Sequence, residues 1–99
     1  MSDKFIRRSR RTAARRIGDE TMVLAVVNST LFSLNETASL LWEAADGITP
    51  LREIVIRTIV ANFEIDAETA YRDAFELTTE LSHRGILETA ESPFDWEQK

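Results

Sequence analysis

A 99-residue chain must draw any chemistry from a short inventory of side chains. His83 is the single histidine, so no imidazole pair can hold a metal, and a Ser/His/Asp set would have one base to draw on. Cysteine is absent, which removes disulfides, thiolate nucleophiles and Cys-ligated zinc or iron–sulfur clusters. Gly18, Gly47 and Gly85 stand too far apart to form a phosphate-cradling loop. Carboxylates are plentiful, yet spacing singles out no pair for general acid/base work. The inventory therefore predicts a protein that is not an enzyme, with no catalytic residue, no metal and no cofactor.

What remains is main chain, apolar surface and charge. The formal net charge of −5 conceals an asymmetry. Residues 1–16 hold seven basic groups (Lys4, Arg7, Arg8, Arg10, Arg11, Arg15, Arg16) against Asp3 alone. The other 83 residues hold five basic groups and sixteen acids. A basic arm on an acidic body can dock an acidic partner, touch nucleic acid or fold back on its own body. Termini usually fray, so residues 1–12 are expected to be a flexible arm. The longest apolar run, Met22 to Val27, is too short to cross a membrane. No apolar stretch follows the Met-Ser-Asp-Lys start, so the expectation is a cytoplasmic protein without a secretory signal or membrane partner.

The elements that position these groups read as strands followed by helices. Ala13 to Ile17 is a short strand ending in the Gly18-Asp19 turn signal. Thr21 to Val27 is β-branched and apolar, a second strand, and Asn28-Ser29 suits a tight hairpin. Thr30 to Leu34 supplies a third, with Phe32 and Leu34 on one face and Leu31 and Ser33 on the other. Asn35 caps a first helix whose apolar stripe is Ala38, Leu41, Trp42 and Ala45, with Gly47 as its stop. Thr49-Pro50 opens a second helix with Leu51, Ile54, Val55, Ile59 and Phe63 inward. Asp66 caps a third that runs to Arg84 and ends at Gly85, with Ala70, Ala74, Leu77 and Leu81 as its stripe. Ile86 and Leu87 are expected to pack back under the domain. Residues 89–99, acidic and containing Pro93, Phe94 and Trp96, read as a disordered tail.

A meander of three antiparallel strands leaves the third strand at an edge. Proteins usually blunt an edge with charge, proline or a bulge, and Thr30 to Leu34 contains neither charge nor proline. Either something covers this strand, or an extended peptide adds to it. On the third helix Tyr71, Phe75 and Thr78 form a second stripe. They pack on the second helix near Ile56 and Val60, or they face the open edge and make a groove with it.

Several runs carry a family resemblance. Phe32-x-Leu34-Asn35-x-Thr37-Ala38, then Asp46-Gly47-Ile48-Thr49 with Glu53-Ile54, then Asp73 with Leu77, Leu81 and Gly85-Ile86-Leu87, resemble the PqqD family over about residues 13–88. Thr78 stands where that pattern has an apolar residue, and Asn28-Ser29 where it often has glycine. The resemblance implies an α+β, winged-helix-like domain: a three-stranded antiparallel sheet followed by three helices. It implies a RiPP recognition element, which binds the leader of a ribosomally made precursor peptide as a strand added beside the third strand and against the third helix. Carried onto this chain, the peptide would lie along Thr30, Leu31, Phe32, Ser33 and Leu34, facing Tyr71, Phe75 and Thr78. The implied partners are the precursor peptide and a modifying enzyme, such as a radical S-adenosylmethionine enzyme, in pyrroloquinoline quinone, lasso-peptide or related maturation. An open edge also permits a homodimer.

The rival reading is a winged-helix DNA-binding regulator. Glu68, Asp73, Glu76 and Glu80 outnumber Arg72 and Arg84 on the third helix, which repels phosphate, so no nucleic-acid partner is expected.

Overall fold

The computed structural model describes residues 3–94. Its elements in chain order are β1 (Phe5–Arg8), β2 (Thr12–Ile17), β3 (Glu20–Ala25), β4 (Thr30–Leu34), α1 (Glu36–Ala44), β5 (Asp46–Pro50), α2 (Leu51–Val55), α3 (Ala67–His83) and β6 (Leu87–Ala90). Helix α2 continues as a π-helical turn, Ile56–Val60, in which the Ala61 N–H donates to the Ile56 carbonyl at 3.2 Å. The strands β2-β3-β4 form the expected antiparallel meander. A second antiparallel sheet, β5-β1-β6, joins the two termini to the middle of the chain.

Alternation builds the meander. Thr21, Val23 and Ala25 of β3 and Leu34 of β4 are buried beneath the helices, while Leu24 and Leu31, paired across the two strands, face outward. The β3–β4 loop is Val26–Ser29, longer than the two-residue turn expected, and Val26 and Val27 are exposed in it rather than extending the strand. Ser29 adopts φ 55°, and the Asn28 Oδ1 accepts from the Thr30 N–H at 3.2 Å to close the loop. In α1 the Asn35 side chain accepts from the Ala38 N–H at 2.9 Å, and Ala38, Leu41, Trp42 and Ala45 are buried as the stripe predicts. Asp66 caps α3 by accepting from the Thr69 N–H at 3.0 Å.

Three expectations are corrected. The basic arm over residues 1–12 is not free, because the adjacent Phe5 and Ile6 of β1 are both buried and carry the charges with them. Three of its five basic groups are held: Arg7 pairs with Glu88, Arg8 Nη1 donates to the Trp42 carbonyl at 3.1 Å, and Lys4 Nζ donates to Thr79 Oγ1 at 2.8 Å and the Phe75 carbonyl at 3.2 Å. The boundary at residue 88 also moves, since β6 pairs along β1 from Leu87 to Ala90 and Phe94 lies against the Arg7 guanidinium, its centroid 4.1 Å away. Residues 95–99, Trp96 among them, fall outside the described residues. Lastly, α1 ends at Ala44, and Asp46–Pro50 becomes β5 because Asp46 takes the N–H groups of Ile48 and Thr49 at 2.9 Å each around Gly47, whose φ is 77°. Ile86 and Leu87 are buried, as expected.

Candidate functional site

The edge of β4 is open. Among the described residues this strand pairs with β3 alone, through an unbroken register from Thr21↔Leu34 to Ala25↔Thr30. Alternation in an antiparallel ladder leaves about half of its N–H and C=O groups pointing away from β3. Thr30, Leu31 and Ser33 are exposed, Leu31 to 59%. Phe32 is half-buried and Leu34 is fixed in the core. No charge, proline or bulge blunts the edge.

A groove runs beside it. Its strand wall is Phe32, Ser33 and Leu34, its far wall is Leu77, Leu81 and Arg84 of α3, and its volume is about 410 Å³. Thr37 and Leu77 are shared with a second, more enclosed cavity of about 290 Å³, lined by Ile59, Phe63, Ile65, Ala70, Ala74 and Asp73. Ile59 enters from the π-helical turn of α2, and Ala70 and Ala74 supply the small side chains that leave room. The two cavities form one trough along α3, mainly apolar between Arg84 at one end and Asp73 at the other. Arg84 Nε donates to Glu80 at 2.9 Å while its guanidinium stands 6.0 Å from the Phe32 ring.

The strand half of the expected site is therefore assembled and the helix half is not. Tyr71 lies roughly 120° around α3 from Leu77, and Phe75 roughly 160°, at 100° per residue. Tyr71 packs under the Arg52 guanidinium at 4.3 Å and edge-on to Phe75. Phe75, still 44% exposed, carries the Lys4 ammonium 3.9 Å from its ring centre. Burial lowers the Lys4 pKa from its ordinary value. Thr78 is fully buried, and its hydroxyl donates back to the Ala74 carbonyl at 2.8 Å, so the polar atom at this apolar position is satisfied inside its own helix. Tyr71 and Phe75 thus lie against Arg52 of α2 and Lys4 before β1, rather than against β4.

The residues that line the trough were readable in principle. Asp73, Leu77 and Arg84 project within roughly 40° of one another, an apolar position framed by charges of opposite sign.

The family model described as "Coenzyme PQQ synthesis protein D (PqqD)" matches residues 20–87, which run from the first residue of β3 to the first of β6. The solved structure "TbiB1 in Complex with the TbiA(beta) Leader Peptide" is similar at a TM-score of 0.75 and 27% identity, covering 83% of this chain and 94% of that one. No curated protein matches the chain. The family model spans more than half of the sequence and contains both walls of the groove, and the chain belongs to the PqqD family.

Proposed function

We propose that the protein captures the leader of a ribosomally synthesised precursor peptide as a fourth strand on the β2-β3-β4 sheet and presents the peptide to a modifying enzyme. The observation that carries this reading is the uncharged edge of β4 lying beside the apolar trough of Leu77 and Leu81. Main-chain groups of β4 supply affinity without regard to sequence, and the trough selects side chains. Net hydrogen bonds of ~1 kcal/mol each, with one or two buried side chains at ~1.5–3 kcal/mol, less the cost of ordering the peptide, give roughly micromolar binding. The leader-peptide complex of TbiB1 supports the same reading.

The chain acts here without catalysing a reaction, in the cytoplasm. Its modifying partner, a radical S-adenosylmethionine enzyme on this reading, brings its own iron–sulfur chemistry. A second copy of β4 fits the same edge, so we expect a concentration-dependent homodimer that a bound leader dissolves. DNA recognition is disfavoured because Glu68, Asp73, Glu76 and Glu80 outnumber Arg72 along α3, which repels phosphate.

Calorimetric titration with the leader and core halves of a candidate precursor peptide tests the proposal. The leader half should bind at micromolar concentration and the core half should not. Equal binding of both halves, or of neither, contradicts it.

A further inference from the structure

The trough is mainly apolar, with Ser33, Asn35 and Thr37 as uncharged polar lining, but oppositely charged at its ends. At the Arg84 end, Arg11 and His83 line the adjoining surface, and Glu80 is the one acid in contact. At the other end Asp73 lines the cavity, and exposed Glu36 and Glu64 directly precede its lining residues Thr37 and Ile65, with no basic residue in the lining. Arg84 spends one of its five N–H donors on Glu80, which leaves its terminal nitrogens for a second carboxylate. Asp73 has no ion pair among the described residues.

Direction follows from the strand. Phe32 of β4 lies near Arg84, whereas the chain leaving Leu34 reaches Thr37 beside Asp73. A peptide that continues the antiparallel sheet runs opposite to β4, so its earlier residues meet Asp73 and its later ones meet Arg84. Asp73 and Arg84 are eleven residues apart on one helix, about 16 Å along its axis. An extended peptide covers that span in about five residues, and side chains of one face recur every second residue. Spacings of four or six satisfy both conditions.

We propose that the trough reads the charge order of the leader: a basic residue first, an acidic residue four or six positions later, and apolar side chains between them on the face turned to Leu77. This rests on the leader-capture reading and specifies the peptide that it selects. The proposal also sets the direction of threading, because a reversed peptide would place like charges at both ends.

Selection from a displayed library of random twelve-residue peptides tests it, run in parallel on the wild-type chain, on the double variant Asp73→Arg with Arg84→Glu, and on Leu77→Asp. Wild type should enrich base-before-acid sequences at those spacings, and the double variant acid-before-base. Exchanging the two charges within one enriched peptide should weaken wild-type binding about tenfold at low salt and less than about twofold at half-molar salt. Identical sequences from wild type and the double variant, or enrichment without charge order, overturn the charge reading, while their loss in Leu77→Asp would leave leader capture standing. No enrichment by wild type overturns both.

Discussion

The β2-β3-β4 sheet has two edges, and they are built differently. On β2 the outer strand is Thr-Ala-Ala-Arg-Arg-Ile, with Arg16 fastened to Glu43 of α1 and its Nε to the Gly18 carbonyl at 2.8 Å. On β4 it is Thr-Leu-Phe-Ser-Leu, with no charge and with a helix-lined trough alongside. Arginine on an edge strand is a common guard against unwanted pairing. The same fold thus protects one edge and leaves the other usable. Openness at an edge teaches little alone; the combination of an unguarded edge and a neighbouring apolar wall is what separates a binding site from a hazard.

The largest expected effect comes from damaging that wall. Leu77→Asp places a carboxylate in the trough and should weaken leader binding by about 2 kcal/mol, roughly 30-fold, with the helical circular dichroism unchanged. Phe75→Ala, on the opposite face, should leave affinity within about twofold while lowering thermal stability through the lost Lys4 contact. Equal losses of affinity in the two variants would erase the distinction between the faces. Next in size, N-methylation of single leader amides should cost about 1 kcal/mol at every second position and little between, since only alternate groups meet the strand. A uniform cost along the peptide would argue for docking without a ladder. Smaller again is the effect on β2: Arg15→Thr with Arg16→Thr should raise self-association in sedimentation at high protein concentration yet leave leader affinity within about twofold.

How far the sequence revealed this arrangement depended on the distance between paired segments. The meander and the helices were legible because each depends on local periodicity, caps and short turns. Strands β1, β5 and β6 were not, since residues 5–8, 46–50 and 87–90 pair across most of the chain and each is only four or five residues long. Five basic groups in residues 1–12 also masked the two apolar side chains, Phe5 and Ile6, that decide the fate of that segment. At the site, composition alone exposed the β4 edge. Tyr71 and Phe75 looked surplus in the sequence, whereas in the fold Arg52 and Lys4 lie over their rings from elements distant in sequence.

The smallest effect concerns the second sheet, which sets how firmly α1 and α2 hold the trough. Burial raises the Asp46 carboxyl, but hydrogen bonds from Thr49 and Ile48 together outweigh it and hold the group below the usual carboxylate range. A carboxyl lowered on folding stabilises above its unfolded pKa of about 4 and loses that contribution as pH falls through the folded value. The stability advantage of wild type over Asp46→Ala should therefore shrink below about pH 4 in denaturant titrations. A constant difference down to pH 2 would contradict the assignment.

Amide hydrogen exchange of the two edges, with and without the leader peptide, tests the central claim most directly. Bound peptide should slow exchange at alternate residues of Thr30–Leu34 and leave Thr12–Ile17 unchanged. Unaltered exchange along β4, or protection that appears on β2 instead, would contradict it.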